Sequence, residues 1–433
     1  MATTTAEGSQ STLRELTLRG IIIGGLITLI FTAANVYLGL KVGLTFATSI
    51  PAAVISMAVL RRFAGHNVKE NNIVQTIASA AGTLSAIIFV LPGLVMVGYW
   101  QGFSFVDTAA VCAIGGVLGV MYSIPLRRAL VTGSDLPYPE GVAAAEVLKV
   151  GDSSGVEGDV AHEENAKGLR VIVFGGILSA VMALLAAMKA AASEVAAYFK
   201  LGSGATTLGS SLSLALIGVG HLVGLAVGIA MLVGVVISYL ILLPILTGGE
   251  ALGDPATLMD TVDSVFSGRI RFIGVGTMAI AAVWTLIKIA GPIAKGMAES
   301  FASSRHRKSG QQVDVEERDI PAPYVIGTIV ALMIPIGLLL WNFVRGTDIH
   351  EHMAVLITVS VLFTLLVGLV IASVCGYMAG LIGASNSPIS SIGIIAVIVA
   401  ALIIALVTRG TDAEPLSLVA YTLFTAAIVF GIA

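Results

Sequence analysis

The amino-acid sequence predicts an all-α fold, a polytopic helical bundle that crosses a membrane about 11 to 12 times. Hydrophobic residues make up 57% of the 433 residues and charged residues only 11%, whereas a soluble domain carries about 25% charged residues. The mean hydropathy is +0.98. Apolar runs of about 20 residues, the length that crosses a bilayer core, recur from Arg19 to the last residue. A lipid bilayer is therefore the expected surrounding of most of the chain.

The chain divides into a polar tail and one membrane domain. Residues 1–18 are rich in Ser and Thr and lack the apolar core and cleavage site of a signal peptide, so we expect a cytoplasmic tail. The transmembrane domain covers residues 19–433. Its last run, Leu416 to Ala433, stops without a polar flank, although membrane helices normally end in interfacial residues. We therefore expect the chain to be C-terminally incomplete.

The hydrophobic pattern places the spans in chain order, with their ends set to within about 2 to 4 residues. The run 209–246 is long enough for two crossings around a tight turn near Gly218 to Gly224, or for one helix broken around His221. The predicted spans are residues 19–40, 43–60, 73–91, 106–123, 170–191, 209–246, 272–290, 322–344, 353–373, 390–408 and 416–433.

Lys and Arg residues in short loops predict the orientation, because cytoplasmic loops carry an excess of them. Arg pairs stand at 61–62 and 127–128, whereas the loop 92–105 between them along the chain has neither Lys nor Arg. The N-terminus is therefore predicted to be cytoplasmic. The same rule predicts two large cytoplasmic loops, 125–168 and 298–321, and the second requires the long run before it to cross twice.

The composition argues against several classes of function. A net charge of −3 offers no basic surface to a nucleic acid. Cys112 and Cys375 stand in apolar runs without CxxC or Cys/His neighbours, so neither a disulfide framework nor a zinc site is predicted. The sequence contains no GxxxxGK[ST] loop and no HExxH pair. We therefore predict no cofactor, no metal and no enzymatic activity.

Two stretches 340 residues apart suggest an internal repeat. Tyr37 to Thr45 reads Tyr-Leu-Gly-Leu-Lys-Val-Gly-Leu-Thr, and Tyr377 to Ser385 reads Tyr-Met-Ala-Gly-Leu-Ile-Gly-Ala-Ser. The Tyr and the final Gly stand at the same spacing in both. Membrane proteins built from duplicated halves often place a broken helix of each half at the bilayer midplane.

The segment Gly380 to Gly393 interrupts an apolar run with Asn386, Ser387 and Pro388. Pro lacks an N–H group and clashes with the preceding turn, so the helix should break here and free backbone amides and carbonyls. Such backbone survives at membrane depth only against protein or a water-filled cavity. The segment is therefore either an ordinary loop between spans or a discontinuous segment that lines a solute path.

Polar side chains also cluster at the end of the first span and at the start of the third. Lys41 can extend to the outer interface or bind a ligand carboxylate. Glu70 suits a helix N-terminus and Asn71 can cap it. Gln75 sits deeper in the span, where its hydrogen-bonding groups need protein neighbours or a polar ligand.

The segment Leu136 to Glu146 contains two prolines that predict a helix starting near Glu140. Glu146 falls about 240° around that helix, so the two carboxylates form no dyad, and Glu146 can pair with Lys149. A partly buried carboxylate at Glu140 would have the raised pKa that carrying a proton requires. His221, in an apolar run, can titrate near neutral pH or serve as a hydrogen-bonded packing residue.

Four segments occur in a fixed order along the chain: Asn-Val-Tyr-Leu-Gly-Leu-Lys-Val-Gly-Leu from residue 35, Glu-Asn-Asn-Ile-Val-Gln-Thr-Ile-Ala-Ser-Ala from residue 70, Leu-Pro-Tyr-Pro-Glu-Gly-Val-Ala-Ala-Ala-Glu-Val-Leu-Lys from residue 136, and Gly-Leu-Ile-Gly-Ala-Ser-Asn-Ser-Pro-Ile-Ser from residue 380. Together they resemble the oligopeptide transporter family, in its bacterial, yellow stripe-like branch. The resemblance implies a larger protein that takes up oligopeptides or metal chelates together with protons. Ser391 stands where the family commonly has Gly, and the Asn-Pro-Gly motif of the eukaryotic peptide branch is absent. Metal chelates therefore remain an alternative substrate, and a channel or an intramembrane enzyme a more distant alternative.

The predicted site combines the segments near Asn35 to Thr45 and Gly383 to Pro388, taken as broken helices, with acidic groups for proton coupling. Its expected partners are a short peptide or a metal chelate, protons and the lipid bilayer. The predicted substrate-binding residues are Asn35, Tyr37, Lys41, Thr45, Gln75, Tyr138, Tyr377, Ser385, Asn386 and Ser387, and the predicted proton-coupling residues are Glu140, Glu146 and His221.

Overall fold

The computed structural model describes most of the chain between residues 15 and 433. The described residues are 15–42, 45, 47–132, 134–151, 194–212, 214, 217, 225–250, 254–281, 319–384, 389–410 and 414–433, with scattered residues between 167 and 192 and between 283 and 291. They fall into two compact units. The first unit includes residues up to Ser85 and from Pro139 to Ile177, and the second includes Ala86–Tyr138 and Leu178–Ala433.

The first unit is a group of helices, α1 (Leu18–Val42), α2 (Ser49–Leu60), α3 (Val68–Leu84) and α6 (Pro139–Gly151). Ile27 of α1 packs with Leu60 of α2 and Val74 of α3 in one apolar cluster. A second cluster joins Met57 of α2 to Leu148 of α6. The hydroxyl of Thr48 donates to the carbonyl of Ala78 at 2.9 Å, so the start of α2 is fixed to α3 by a hydrogen bond as well as by packing.

The second unit contains one hairpin and most of the other helices among the described residues. Its aromatic and aliphatic core lies between α5, α10, α11 and α13. The elements are α4 (Pro92–Met96), α5 (Phe105–Arg127, continued by a π turn Arg128–Thr132), β1 (Glu194–Leu201), β2 (Gly204–Ser211), α7 (Leu225–Val235, continued by a π turn Val236–Leu242), α8 (Leu243–Thr247), α9 (Pro255–Val265, continued by a π turn Phe266–Ile270), α10 (Ala322–Arg345), α11 (Met353–Ile382), α12 (Ile389–Val407) and α13 (Pro415–Ile432).

Helix α13 is the most enclosed of the described helices that are long enough to span a membrane, with 67% of its 18-residue apolar window buried. Its backbone approaches α5 so closely that a Cβ atom on Gly115 would lie 2.7 Å from Cα of Gly431. The fully buried Tyr421 donates its hydroxyl hydrogen to Ser360 of α11, with an O–O distance of 2.9 Å. Small residues and a satisfied polar contact, the usual means of joining helices in lipid, therefore hold α13 in place.

Seven helices in the described part of the chain are long and apolar enough to cross a membrane. Two shorter apolar helices accompany them, Ser49–Leu60 and Ile392–Val407. This agrees with the predicted all-α membrane bundle. The seven are Leu18–Leu40, Val68–Met96, Phe105–Thr132, Gly228–Thr247, Ala322–Arg345, Met353–Leu381 and Pro415–Ile432.

The helix ends agree with the predicted repeat. Helix α1 ends at Val42 and α11 at Ile382, and the next helix begins at Ser49 in the first case and at Ile389 in the second. Both the ends and the new starts are 340 residues apart, which is the spacing of the two similar sequence stretches. The two similar stretches therefore share a pattern of helix, interruption and helix.

A β-hairpin was not predicted, and it corrects the start of the predicted 209–246 span. Strands β1 and β2 pair antiparallel from Glu194↔Ser211 to Leu201↔Gly204, so residues 209–211 belong to a strand. The prediction relied on the length of the apolar run, whereas Val, Tyr and Phe before a Gly-Ser turn are a hairpin signal. The turn predicted at 218–224, including His221, lies outside the described residues.

One further prediction on a helix end was wrong, and a second is narrowed. Asn67 rather than Asn71 caps α3, because the backbone N–H of Glu70 donates to the side chain of Asn67 at 2.9 Å. Asn71 instead accepts a hydrogen bond from Ser56. The break predicted near Asn35 to Thr45 is narrowed to the end of that segment, because α1 continues through Asn35 to Val42 and α2 begins at Ser49.

Candidate functional site

The Leu-Pro-Tyr-Pro segment packs against the end of α11. Beyond the π turn that follows α5, the backbone N–H of Tyr138 donates to the carbonyl of Gly380 at 2.8 Å. The Tyr138 hydroxyl donates to the carbonyl of Leu130, also at 2.8 Å. The last turn of an α-helix leaves carbonyls without intrahelical partners. Tyr138 therefore caps α11 from a segment that lies far away in the sequence.

Gly380 permits this contact because it has no side chain. A Cβ atom at this position would lie 2.8 Å from Cζ of Tyr138 and 2.8 Å from Cδ1 of Leu136. Any larger residue would therefore move the tyrosine ring away from α11. The contact with Leu136 and Tyr138 therefore explains why a glycine stands at position 380.

Tyr138 has a strained backbone. Its φ of 42° is the single positive value among the described residues other than glycine, and Pro139 follows it directly. Aromatic residues rarely adopt this region, which costs about 1–3 kcal/mol. Strained residues of this kind concentrate at functional sites.

The Tyr138 hydroxyl is a stable donor. Burial raises the pKa of its phenol, so the group keeps its proton throughout the physiological range. It is therefore suited to fixing a structure or donating to a ligand rather than to carrying protons.

Helix α11 ends where the sequence predicted an interruption. Gly383 has a φ of 91°, and its N–H donates to the carbonyl of Ala379 at 3.0 Å. Tyr377 lies half-buried one turn before that end, against the cluster around Ile371 and Val374. Ser385, Asn386 and Ser387 lie outside the described residues.

The two predicted acidic residues have different surroundings. Glu140 is the second residue of α6 and is half-buried. Glu146 is exposed and accepts a hydrogen bond from Lys149 at 2.8 Å, as the sequence predicted. The Glu140 carboxylate lies at the positive end of the α6 dipole, whereas the exposed pair of Glu146 with Lys149 is largely screened by solvent.

The predicted residues of the first motif lie along and just beyond α1. Asn35 is fully buried, whereas Tyr37 is largely exposed two residues later. Thr45 is half-buried in the interruption between α1 and α2. Lys41 belongs to the last turn of α1, and its side chain lies outside the described part of the structure.

Gln75 is half-buried on α3 and has local partners. Its side-chain amide donates to Asn72 at 2.9 Å and to Thr76 at 3.2 Å. Neighbours on the same helix thus satisfy its donors, which is one of the two alternatives that the sequence left open.

A partly buried ion pair between α1 and α3 was not predicted. Glu70 is fully buried, and Arg19 donates to its two carboxylate oxygens at 2.6 and 2.7 Å. The hydroxyl of Thr17 donates to the same carboxylate. Because the residues are about 50 positions apart in the sequence, no local spacing could have indicated the pair. The described residues contain no group of three or more His, Cys, Asp or Glu side chains arranged to hold a metal ion.

Comparison with known proteins gives consistent results. A family model described as OPT oligopeptide transporter protein matches residues 15–433. A proposed oligopeptide transporter of Haemophilus influenzae is 44% identical over 406 residues, covering 91% of this chain and 62% of the relative. A proposed oligopeptide transporter of Saccharomyces cerevisiae is 25% identical over 175 residues, 35% of this chain and 24% of the relative. The chain thus spans about three fifths of the length of the bacterial relative. No solved structure matches it.

Proposed function

Since the chain belongs to the oligopeptide transporter family, we propose that it is part of a proton-coupled secondary transporter that moves short peptides across the bacterial plasma membrane. The observation that carries this proposal is the junction of Tyr138 with the end of α11. There, a strained residue caps a helix that is interrupted within an otherwise apolar run. Interrupted helices supply backbone carbonyls and amides to polar solutes in secondary transporters.

The chemistry of a short peptide fits such a site. A peptide carries an ammonium group, a carboxylate and a series of amides. Carbonyls at the C-terminal end of a half-helix attract cations, and N–H groups at the N-terminal end of the next attract anions. Both kinds of helix end flank the interruption between α11 and α12. The equivalent interruption between α1 and α2 gives the repeat a second candidate segment.

Glu140 is proposed as the proton-coupling group, and the N-terminus as cytoplasmic. Of the two predicted carboxylates in α6, Glu140 is the one that is half-buried. A group of this kind can bind a proton on one side of the membrane and release it on the other when its surroundings change.

The test is uptake by protein reconstituted into proteoliposomes under an imposed pH gradient. Labelled peptides of two to six residues are compared with ferric and cupric chelates. We expect peptides to accumulate above equilibrium when the outside is acidic, and Glu140→Gln to abolish this accumulation while peptide exchange without a gradient persists. Asp260→Asn, which removes an exposed carboxylate on α9, serves as the control.

Three outcomes would contradict the proposal. Accumulation of chelates but not of peptides would assign the other substrate class. Flux that only follows the solute gradient would identify a channel. Full gradient-driven uptake by Glu140→Gln would remove that residue from proton coupling.

A further inference from the structure

The β-hairpin has an open edge. Strand β1 pairs with β2 alone in the described residues, as a two-stranded sheet. Strand β2 is covered over its first half, where Ala205 and Thr206 are fully buried. The backbone N–H of Ala205 donates to the hydroxyl of Thr247 of α8 at 2.8 Å. Strand β1 is exposed along nearly its whole length. Its outer edge therefore presents backbone N–H and C=O groups to another extended chain.

This edge cannot lie in the hydrocarbon of a bilayer. Backbone groups without partners cost several kcal/mol each in lipid, so open sheet edges do not occur at membrane depth. The hairpin lies outside every candidate span of the described chain, although β2 packs beside the end of the apolar helix Gly228–Thr247, where Thr206 donates to the carbonyl of Tyr239. The exposed edge of β1 therefore contacts water, either at the membrane surface or in a water-filled cavity.

The ends of β1 carry opposite charges. Glu194 begins the strand and Lys200 stands six residues later, and both side chains are exposed. An even spacing puts both on the same face of the strand, about 20 Å apart at the strand rise of about 3.3 Å per residue. Tyr198 lies between them on that face, where its hydroxyl donates to Asp263 of α9 at 3.2 Å.

A free peptide has the matching charges. Its ammonium group and its carboxylate stand at opposite ends, and an extended peptide of about six or seven residues spans about 20 Å. Pairing parallel to β1 brings the ammonium to Glu194 and the carboxylate to Lys200. The opposite face of β1 exposes Val195 and Phe199, which can contact apolar side chains of the peptide.

We propose that the outer edge of β1 binds an extended oligopeptide of about six residues as an added parallel strand. This binding precedes transport and selects peptides by length and by their free ends. The inference rests on the proposed function in one respect, because it takes peptides to be the transported solutes.

The first experiment changes the ligand and leaves the protein intact. Fluorescent peptides of two, four, six and eight residues are titrated into purified protein in detergent. We expect affinity to rise up to about six residues and then level off, and to fall about two- to fivefold when each terminus is blocked, as for exposed charge pairs. In an added strand, only every second N–H group of the peptide faces β1. Peptides N-methylated at those residues should therefore not bind, whereas peptides N-methylated at the residues in between should still bind.

The second experiment changes the edge itself. Glu194→Gln should weaken the binding of peptides with a free ammonium group but not of acetylated peptides. Lys200→Gln should weaken the binding of peptides with a free carboxylate but not of amidated peptides. Asp260→Asn and Arg409→Gln, which remove exposed charges elsewhere, should have no effect on binding.

Equal binding of both N-methylated registers, or of free and blocked peptides, would overturn the proposal. So would a disulfide-linked dimer of Val195→Cys together with absence of peptide binding, because a second copy of the chain would then occupy the edge. The two proposals fail separately. If peptide uptake were unchanged in the Glu194 and Lys200 variants, only the proposal of binding at the β1 edge would be refuted. If peptides bound at that edge but were not taken up, only the proposed transport function would be refuted.

Discussion

Two residues of the first unit, Arg19 and Glu70, show how a charge is accommodated inside this protein. The carboxylate of Glu70 is fully buried, yet the guanidinium of Arg19 and the hydroxyl of Thr17 donate to it. A buried ion pair contributes little when complete, but loss of one partner leaves an uncompensated charge. The pair therefore fixes how α1 and α3 meet.

Replacing the cation of this pair should destabilise the protein. Arg19→Met is expected to lower the free energy of unfolding by about 1–3 kcal/mol, because the buried Glu70 carboxylate loses its partly exposed cation. Lys149→Met is the matched control, since its pair with Glu146 is 69% and 60% exposed and is worth less than about 1 kcal/mol. Thermal unfolding in detergent measures both. Adding Glu70→Gln to Arg19→Met should recover part of the lost free energy of unfolding. If Arg19→Met and Lys149→Met lowered the unfolding temperature equally, this account would be contradicted.

Asp348, which lies outside the membrane helices, should make the stability of the fold depend on pH. Hydrogen bonds from the Ser417 side chain and from the Glu414 backbone N–H lower the pKa of its carboxyl from 3.8, and the second has an N–O distance of 2.6 Å. A lowered pKa means that the ionised form stabilises the fold above pH 3.8 and that this stabilisation is lost as the pH falls through the folded value.

The corresponding prediction compares Asp348→Asn with the unchanged protein. At neutral pH the variant should unfold at the lower temperature, because it lacks the charged acceptor between α10 and α13. The difference should shrink below about pH 4. A difference that stays constant from pH 7 to pH 3 would show that Asp348 acts by packing alone.

At the scale of elements, the contact between α5 and α13 depends on glycine. Because a Cβ atom on Gly115 would meet the backbone of Gly431 at 2.7 Å, no side-chain rotation relieves the overlap. Gly115→Ala is therefore expected to separate the helices and lower the thermal unfolding temperature. Gly327→Ala on α10 is the control, since nothing lies within 4 Å of its Cβ position and Ala favours a helix by up to about 1 kcal/mol. The same loss in both variants would show that helix propensity, and not the contact, controls stability.

The repeat is also a property of elements. The sequence similarity around Tyr37 and Tyr377 covers only nine residues. The helix ends at Val42 and Ile382 and the new starts at Ser49 and Ile389 extend it. The interruption at the same place in both stretches follows from the few Gly and polar residues after each helix end.

At the scale of the whole molecule, loop charges predict which side of the membrane each segment occupies. Gly102→Cys, in the loop without Lys or Arg, should react with a membrane-impermeant maleimide in intact cells. Lys149→Cys should react only after the membrane is opened. Cys112→Ala and Cys375→Ala provide the background, and both cysteines are at least partly buried. Reaction of Lys149→Cys from outside would reverse the orientation.

The sequence predicted much of the membrane fold, because span length and apolarity are local properties. Spans predicted at 322–344, 390–408 and 416–433 agree with α10, α12 and α13 to within one residue at each end. The hairpin at Glu194–Ser211 was missed, since the run-length criterion ignores strands. The cap on α3 was misassigned to Asn71 because several residues near a helix start can cap it, and only the backbone geometry selects Asn67.

The candidate site was predictable in its residues but not in its arrangement. The sequence marked Tyr138 and the Gly380 segment separately. It gave no sign that the tyrosine backbone caps α11 or that its φ is positive. Gln75 was taken as a ligand group because its depth could be read from the sequence, whereas its partners Asn72 and Thr76 depend on rotamers.

By itself, the sequence determined the membrane class of this protein, its polar interruptions and its family motifs, because hydrophobic run length and residue order are independent of packing. Only the tertiary structure decided which distant groups meet. Tyr138 with Gly380, Arg19 with Glu70 and Gly115 with Gly431 are pairs that chain folding brings together. Hydrogen bonding, charge pairing and close contact act over a few ångströms, and separation along the sequence does not determine such distances.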